Sequence, residues 1–288
     1  MENDMSRNVK QSSVDSVAIV TATIGKPELE RAIKSVQAQT YPCRHYVFVD
    51  GEQFWAEAKA ILSRYPNVIA TYLPMNTGRL SWKNSCINAI APFMVEEDYL
   101  AFLDDDNWFE PNHIETVMAC LKTHRSDYVY SLRNFVDLNG DFVCRDTIES
   151  IGHFSHKVPE KLYVPLLCNG VEIPITVTTP QYSLIDVGCY FLPKSVAISV
   201  AQAWYEGGEK NDANVFRELN QRGMIGKCSG LYTLNYVAIK EESFSSSVAM
   251  ALQKLGMNVD DIHQVFREIS MLQYRKNFEL YNGHFPWE

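Results

Sequence analysis

Three consecutive carboxylates, Asp104–Asp106, follow directly after the apolar run Tyr99–Leu103. Like charges at this spacing repel one another, and their burial is costly unless water or a cation lies close by. Mg²⁺ and Mn²⁺ prefer oxygen ligands and typically bind one or two protein carboxylates together with phosphate oxygens. The alternative is an acidic turn that caps the next helix, because Asp and Asn favour both turns and caps. We prefer the metal–phosphate interpretation, since Asp50 and the basic pair Arg79 and Lys83 are expected at the same edge.

A second candidate carboxylate, Asp212, stands where an apolar helix begins after the turn Gly207-Gly208. One interpretation is structural, since Asn211 and Asp212 are typical of a helix N-terminus. The other is that Asp212 faces a cleft and takes part in chemistry there, with Glu209 as the alternative carboxylate. The residue pattern by itself leaves both interpretations open.

Strands that alternate with helices must position the first of these groups. Such alternation over about 120 residues predicts a mainly parallel sheet with right-handed crossovers, and ligands of such sheets bind beyond the carboxyl ends of the strands. Polar residues follow several predicted strands and should therefore meet at one edge. The predicted strands are Val17–Thr23, His45–Gly51, Val68–Leu73 and Tyr99–Leu103, and the predicted helices are Leu29–Gln39, Gln53–Tyr65 and Ser81–Ala91.

The second half of the chain has a less regular pattern. The dipeptide Asn139-Gly140 within 127–143 is a strong hairpin signal, and 146–182 is expected to form loops and short strands over a cleft that His153 and His156 border. His113 is assigned to the solvated face of the helix after the carboxylates. The remaining predictions are a strand at Ser183–Leu192, helices at Ser195–Tyr205 and Asp212–Arg222, a strand at Leu231–Ile239, and a C-terminal helix opened by a capping box from Asn258 to Asp261.

Composition restricts the class of protein. The 288 residues include 26 Lys and Arg against 35 Asp and Glu, a net charge of −9, with no local basic cluster. This balance argues against a nucleic-acid partner. No apolar run reaches the roughly 18 to 20 residues that an integral membrane segment needs, and no secretory signal is evident. Seven scattered cysteines predict free thiols in a reducing compartment. We expect a cytoplasmic protein, at most peripheral to the inner face of a membrane.

The expected organisation is a flexible N-terminus (1–15) followed by one domain (16–288). Within that domain, the family resemblance given next implies a nucleotide-binding half (16–125), an acceptor-binding half (126–245) and a C-terminal helical extension (246–288). No internal repeat or linker divides the chain.

Five segments together resemble the family 2-type nucleotide-sugar glycosyltransferases of the GT-A fold. The resemblance is close over about residues 15–120, and its specificity comes from the order and spacing of short motifs. It implies a GT-A (Rossmann-like) α/β fold, with a mostly parallel central sheet flanked by helices and a mixed C-terminal half. The segments are Val17–Thr23, Leu29–Gln39, His45–Gly51, Asn76–Arg79 and Leu103–Asp106.

The resemblance also implies roles for individual residues on the donor side. Asp106 would be the direct ligand of Mn²⁺ or Mg²⁺, with Asp104 as the second candidate, and Asp104 or Asp105 would face the ribose. The run Asp50-Gly-Glu-Gln departs from the pattern of many members, which have a second acid and a serine there, so the base stays open although uracil is the common one. Nucleotide contacts would come from Thr21 and Thr23 near base and ribose, Asp50 on the base, and Gly78 and Arg79 against the nucleotide.

On the acceptor side the resemblance makes Asp212 the general base, with Glu209 as the alternative. An inverting transfer needs one base, which deprotonates the acceptor hydroxyl as it attacks the anomeric carbon. Gly188 would allow close approach of the donor sugar, unless it merely marks a bulge in a buried strand. Trp108, beside the carboxylates, is the aromatic candidate for stacking on sugar or base.

The expected function is thus metal-dependent, inverting transfer from a UDP-sugar to an unidentified acceptor hydroxyl, as in polysaccharide or glycoconjugate synthesis. A non-catalytic sugar-nucleotide-binding protein and a retaining transferase are the alternatives. A phosphohydrolase with an Asp-x-Asp loop fits less well, because Asn107-Trp108 follows the acids instead of the usual Thr or Val. Oligomeric state is left open.

Overall fold

The structure is a computed structural model that describes residues 15–154, 157–168, 171–179, 184–239 and 247–288. Almost all of the N-terminal segment predicted to be flexible lies outside these described residues, and so does His156. The cysteines whose side chains the structure describes are all free thiols, as expected from their spacing.

Strands and helices alternate through the first half of the chain, as its pattern predicts. Helix α1 shows why: Leu29, Ile33 and Val36 recur at helical spacing and all three are buried. The elements are β1 (Val17–Thr23), α1 (Leu29–Gln37), β2 (Arg44–Asp50), a 3₁₀ turn (Glu52–Phe54), α2 (Trp55–Leu62), β3 (Ile69–Leu73), α3 (Ser85–Met94), β4 (Tyr99–Phe102), β5 (Trp108–Phe109) and α4 (His113–His124).

The second half adds antiparallel strands and the C-terminal helices. Asn139-Gly140 joins its first two strands, which confirms the predicted hairpin. The elements are β6 (Tyr128–Val136), β7 (Phe142–Arg145), β8 (Lys161–Cys168), β9 (Val171–Thr178), a 3₁₀ turn (Val187–Cys189), β10 (Tyr190–Pro193), α5 (Lys194–Ser199), α6 (Ala201–Gly207), a 3₁₀ turn (Gly208–Lys210), α7 (Asn211–Gln221), β11 (Gly226–Val237), α8 (Ser247–Lys254) and α9 (Val259–Leu280).

Within the described residues, nine strands form the central sheet. Its order is β3-β2-β1-β4-β10-β6-β11-β5, and β7 pairs with β6. Strands β1 to β4 pair in parallel, and so do β6 and β11. Strand β10 runs antiparallel between β4 and β6. The carboxyl ends of β1, β2 and β4 and the amino end of β10 therefore meet at one edge of the sheet.

The core lies on both faces of this sheet. Successive residues of a strand point to opposite faces, and in β2 all four of the central side chains are buried. Tyr46 and Phe48 belong to the large cluster that includes residues of β1 and β4, whereas Val47 and Val49 pack against helices α1 and α2. Burial on both faces explains the continuous apolar runs of the parallel strands.

Helix α3 begins at Ser85 and not at the predicted Ser81. The residues just before it adopt left-handed backbone, with φ of 58° at Leu80, 68° at Ser81 and 49° at Lys83. A right-handed helix cannot include such residues. The segment therefore forms a loop, and this loop approaches the edge where the strands end.

The prediction of a strand over Ser183–Leu192 was wrong for most of its length. Strand β10 starts only at Tyr190, because a 3₁₀ turn precedes it and the Asp186 side chain accepts a hydrogen bond from Gly188 N within that turn. Ser183 lies outside the described residues. The loops and short strands expected over 146–182 include one regular hairpin instead, in which Lys161 to Cys168 pair with Thr178 to Val171.

His113 does not lie on a solvated helix face, as the sequence interpretation had it. Its side chain is fully buried and its ring stacks on Phe109 at a centroid distance of 3.7 Å. Its Nδ1 is 2.8 Å from Thr233 Oγ1. Burial lowers the pKa of the imidazole to about 3, so His113 is neutral at physiological pH.

The C-terminal segment packs back onto the domain. Asn258 and Asp261 form the predicted capping box at the start of α9. Beyond that helix, Phe285 and Trp287 are buried together with Leu132 and Ile151. In the part of the chain that the structure describes, no helix combines the length and the apolar character needed to cross a membrane.

Candidate active site

A cavity of about 410 Å³ opens at the edge where the strand ends meet. Strands β1, β2 and β4 each contribute a polar residue to its wall just at or after their last residue, as open parallel sheets do at their ligand sites. Seven acidic side chains and two lysines line it, so an anionic ligand would need a cation as counter-charge. The acids are Asp50, Asp104, Asp105, Asp106, Asp186, Glu209 and Asp212, and the lysines are Lys26 and Lys83.

The acid triplet is held in place by groups from β1, α1 and the loop before α3. Thr23 Oγ1 donates to Asp105 Oδ2 over 2.7 Å, and Arg31 Nη2 donates to the backbone oxygen of Asp106 over 2.8 Å. Burial raises the pKa of Asp105 to about 6, while Lys26, 3.9 Å away, opposes the rise. Thr23 and Lys26 thus hold the Asp105 carboxyl group, and Arg31 holds the backbone of Asp106.

Asp50 uses its carboxylate to shape the loop that follows β3. Its Oδ1 accepts hydrogen bonds from Thr77 N and Thr77 Oγ1, and its Oδ2 accepts one from Gly78 N over 2.8 Å. A Cβ at position 78 would lie 2.3 Å from Lys83 O, so only glycine fits without a shift of backbone. The end of β2 and the loop over the cavity are therefore one unit.

Asp212 lies in the first turn of α7 and faces the same cavity. Burial, and secondarily the negative charge of Asp186, raises the pKa of Asp212 to about 7. Ala213 N donates to Asp212 Oδ1 over 2.7 Å. A carboxylate with a pKa near neutrality is suited to accept a proton, because it is both available and basic enough at physiological pH. Glu209 also lines the cavity, but it is exposed and lies 4.0 Å from Lys83 Nζ.

A buried arginine binds three carboxylates in the neighbourhood of Asp212. Arg133 donates to Asp146 over 2.7 Å, to Asp186 over 2.6 Å and to Glu149 over 2.7 Å. The guanidinium also stacks 4.2 Å from the centroid of the Tyr236 ring, which lines the cavity. Burial acts to lower the pKa of Arg133, but the three carboxylates hold it well above its usual value, so the side chain is a permanent cation.

Residues 16–171, which make up more than half of the chain, match the family described as Glycosyl transferase family 2. The chain belongs to glycosyl transferase family 2. It is therefore a glycosyltransferase, as its resemblance predicted.

Two kinds of relatives accompany this family 2 assignment. An uncharacterized protein of Haemophilus influenzae is 28% identical over 105 residues, which are 36% of this chain and 67% of that protein. A crystal structure of S. aureus TarS 1-349 in complex with UDP-GlcNAc superposes with a TM-score of 0.54 at 16% identity, covering 81% of this chain and 61% of that one. The complex of TarS 1-349 with UDP gives 0.53 at 14% identity, covering 86% and 68%. The fold is GT-A, as expected.

Eight of the twelve site residues predicted for this family 2 chain line the cavity. They come from five separate parts of the sequence, and the fold brings them to one place. They are Thr23, Asp50, Gly78, Asp104, Asp105, Asp106, Glu209 and Asp212.

The other four predicted residues lie outside the wall of the cavity. Thr21 lies two residues before the end of β1 and is fully buried, and its hydroxyl lies 2.9 Å from His45 Nε2. Arg79 is exposed on the loop. The Arg31 guanidinium covers one face of Trp108 at 3.9 Å. Gly188 packs against Leu234, where a Cβ would lie 2.9 Å from Cδ2.

Several residues of the family 2 site were not predicted. Lys26, Asn84, Asn211, Asp186 and Tyr236 all line the cavity, but each is a common residue type in an unremarkable local context. One signal was present: Arg133 is the one charged residue of the mainly apolar strand β6, and a buried arginine must be paired with acids. His153 lies near Tyr128, with its Nε2 3.4 Å from the phenol oxygen, and does not line the cavity.

Proposed function

We propose that this glycosyltransferase transfers a sugar, with inversion, from a UDP-sugar to the hydroxyl group of an acceptor. One observation carries the proposal: the acid triplet at the end of β4 and Asp212 at the start of α7 line the same cavity. A donor site and a base must lie within the length of one sugar for direct transfer. The complexes of TarS with UDP-GlcNAc and UDP support the choice of uridine nucleotide, since TarS shares the fold.

The donor nucleotide would lie along the ends of β1, β2 and β4. Thr23, Asp50 and Gly78 would contact base and ribose, and Asp104 or Asp105 would face the ribose. Lys26 and Lys83 lie in the wall of the cavity, where they would offset part of the diphosphate charge. Two lysines against seven acids leave the cavity negative, which favours an additional cation.

The residues of the triplet suit a divalent cation. Among the described residues, no three His, Cys, Asp or Glu side chains gather closely enough to hold a metal ion by themselves. Mg²⁺ and Mn²⁺ commonly take one or two carboxylates and complete their shell with phosphate oxygens and water. Asp106, with Asp104 as the second candidate, would supply those carboxylates. A bound ion would stabilise the negative charge that develops on the leaving diphosphate.

Asp212 would act as the general base. Its carboxylate accepts the proton of the acceptor hydroxyl while that oxygen forms a bond to the anomeric carbon. The bond from this carbon to the diphosphate oxygen breaks on the opposite face, and its electron pair leaves with UDP. Attack by the acceptor oxygen from the face opposite the departing diphosphate inverts the anomeric configuration. The raised pKa of Asp212, about 7, matches this role because the group releases and accepts protons near neutrality.

Two measurements test the proposal. Calorimetric titration of UDP in Mn²⁺ buffer should show binding that EDTA weakens, and UDP should be released from UDP-GlcNAc or a related UDP-sugar in the same buffer. The substitution Asp212→Asn should abolish release while leaving the UDP affinity within about twofold. Absence of UDP binding by the wild-type chain would refute the donor assignment. Full turnover of Asp212→Asn would refute the base, and binding without any release would indicate a non-catalytic protein.

The stereochemical outcome needs a product. With an accepted sugar alcohol or oligosaccharide, NMR of the anomeric proton separates inversion from retention. Retention would contradict the single-base mechanism and leave only the donor site in place. The acceptor itself would be sought among glycans, in keeping with an expected role in polysaccharide or glycoconjugate synthesis.

A further inference from the structure

Two asparagines stand at the starts of the two helices that border the cavity. Asn84 directly precedes α3, at the position where an asparagine side chain normally accepts a hydrogen bond from the first turn. It makes no such capping bond. Asn211 is the first residue of α7 and immediately precedes Asp212. The side chain of Asn84 is thus engaged elsewhere, and its partners explain where.

A continuous chain of hydrogen bonds joins the acid triplet to the start of α7. Asn84 Nδ2 donates to Asp104 Oδ1 over 2.7 Å, and Asn84 Oδ1 accepts from Asn211 Nδ2 over 2.7 Å. Asn211 Nδ2 also donates to Ser85 Oγ over 2.9 Å, and Ser85 Oγ donates to Gly208 O over 2.6 Å. The bonds span both the residue before Asp212 and the turn that leads to it.

The chemistry of these partners fixes the orientation of the Asn84 amide. An ionised carboxylate only accepts hydrogen bonds, so the NH₂ group of Asn84 must face Asp104. The NH₂ group of Asn211 only donates, so the oxygen of Asn84 must face Asn211. Asn211 and Ser85 are buried, with exposed fractions of 6% and 0%. In such a water-poor setting polar networks are strong when complete and costly when broken.

We propose that Asn84 is a positioning residue which ties the Asp104 carboxylate to the start of the helix that carries Asp212. This inference rests on the proposed function, since it assigns Asp104 to the donor side and Asp212 to the acceptor side. The amide holds the donor-side carboxylate in the orientation that nucleotide and metal meet. Through Asn211, the same amide fixes the start of α7. Donor binding and placement of the base therefore depend on one another.

Position 84 needs a side chain that both donates and accepts a hydrogen bond, and neither aspartate nor alanine does both. Aspartate would keep the acceptor for Asn211 but oppose a second carboxylate to Asp104. Alanine would remove both bonds and leave Asn211 Nδ2 with Ser85 as its remaining partner. The two substitutions therefore separate the donor-side bond from the helix-side bond.

The experiment compares Asn84→Ala, Asn84→Asp, Asn211→Ala and the double variant Asn84→Ala/Asn211→Ala with the wild type. Calorimetry gives the Kd for UDP in Mn²⁺ buffer, and UDP release from a hydrolysed UDP-sugar gives kcat and KM. Asn88→Ala is the matched control: Asn88 lies one turn further along α3, is 2% exposed, and its Nδ2 has no hydrogen-bond partner among the described residues. Thermal melting of every variant monitors the fold.

We expect Asn84→Ala and Asn84→Asp to weaken UDP binding about tenfold or more, because hydrogen bonds to charged groups contribute at this level. Asn211→Ala should also weaken UDP binding, although Asn211 belongs to the helix of the base, and should lower kcat. The double variant should bind UDP within about twofold of Asn84→Ala, since both changes break one network. Asn88→Ala should match the wild type.

Other results overturn the inference. It fails if Asn211→Ala leaves the UDP affinity unchanged, if the two single effects add fully, or if Asn84→Ala behaves like Asn88→Ala. Should Asn84→Ala not fold, Asn84→Asp gives the same decision, because it retains the bond to Asn211. Failure of the proposed function is recognised separately, since the wild-type chain itself would then bind no UDP in Mn²⁺ buffer, and the inference would fall with it.

Discussion

Arg133 Nη1 donates to Asp186 Oδ2 over 2.6 Å, and both side chains are buried, with exposed fractions of 3% and 6%. The same guanidinium binds Asp146 and Glu149, so three carboxylates share one cation. Asp186 also lines the cavity and is one of the charges that raise the pKa of Asp212. Arg133 thus holds the negatively charged Asp186 beside the proposed base. Replacement of Arg133 should therefore lower the stability of the fold.

Substitution of Arg133 by methionine should destabilise the fold by about 3–5 kcal/mol, because it leaves buried carboxylates without their cation. Urea unfolding followed by circular dichroism measures the loss. The stability of Arg133→Lys should lie between those of the wild type and Arg133→Met, since lysine keeps the charge but cannot form the forked set of hydrogen bonds. Unchanged stability of Arg133→Met would contradict the view that the cluster depends on this cation.

Replacement of Asp212 by asparagine should change stability in a pH-dependent way. The pKa of Asp212 is raised from 3.8 to about 7, so between these values the folded chain holds a proton that the unfolded chain releases. This contribution to stability is complete below pH 3.8 and is lost as the pH rises through about 7. The variant should therefore gain on the wild type as pH rises, by at most about 4 kcal/mol and by less where cavity water screens the carboxylate.

Thermal melting of wild type and Asp212→Asn at pH 4 and pH 8 is the measurement for this effect. Asparagine has the same shape and can still accept the bond from Ala213 N. Its melting temperature should match the wild type at the acidic end and exceed it at the alkaline end. A constant difference at all pH values would mean that Asp212 ionises in the folded chain as it does in water.

The pH dependence of turnover should reflect the same carboxylate. A general base works in its ionised form, so UDP release should rise with pH through about 7. Asp186 and Glu149 face Asp212 with negative charge and Arg133 with positive charge. Asp186→Asn should move the rise to lower pH, because it removes the strongest of the neighbouring charges that raise the pKa of Asp212. Asp141→Asn, an exposed change in the hairpin turn, should leave the profile unmoved.

If the pH profile of UDP release keeps its midpoint in Asp186→Asn, the charge of Asp186 does not influence the ionisation of Asp212. The fold of this variant can be checked by melting, since Arg133 retains two carboxylate partners. If instead the acidic limb of the profile disappears altogether in Asp186→Asn, the group whose ionisation sets that limb is a residue other than Asp212.

The local elements of this chain could be predicted because their signals are local. Strand β1 has the bounds that the sequence predicted. At the start of helix α9, Asn258 and Asp261, three residues apart, form the predicted capping box. Thr21 and Thr23 show the limit of such reasoning. Both residues face the same side of β1, but only Thr23 stands at the end of the strand and reaches the cavity. The Thr21 hydroxyl lies instead against His45 on β2.

The unpredicted parts of the site depend on contacts between distant parts of the chain. Asn84 and Asn211 are separated by 127 positions, and nothing in either sequence context indicates the other. His113 was assigned to the solvated face of its helix, and its ring instead lies against Thr233 on β11, 120 positions away. The left-handed backbone at Leu80 and Ser81 could not be predicted, because neither residue is a glycine or an asparagine.

Removal of a triplet carboxylate should reduce metal-dependent binding of UDP. Asp106→Asn keeps the shape but removes the negative charge, which is what a hard cation requires of its oxygen ligand. The ratio of UDP affinities in Mn²⁺ and in EDTA should fall about tenfold or more, a loss comparable to that of a charged hydrogen bond. Asp141→Asn again serves as the control. If Asp106→Asn keeps the full effect of Mn²⁺, Asp104 becomes the candidate for direct ligation.

The loop held by Asp50 should tolerate no side chain at position 78. A Cβ there would lie 2.3 Å from Lys83 O, closer than real Cβ contacts come, so backbone must move. Gly78→Ala should cost about 1–3 kcal/mol of stability and weaken UDP binding, because the loop carries Lys83 to the cavity wall. Gly256→Ala provides the comparison, since Gly256 has φ of +86° but no atom within 4 Å of an added Cβ.

Alanine at position 256 pays only for its left-handed backbone, about 1–2 kcal/mol, and should leave the UDP affinity unchanged. Calorimetry and urea unfolding on the two variants therefore separate steric displacement of the loop from general loss of stability. Equal UDP affinities for both variants would show that the loop contributes nothing to the donor site. In that case the three hydrogen bonds that Asp50 accepts would hold a loop for structural reasons alone, and the role of Asp50 toward the nucleotide would have to be abandoned with it.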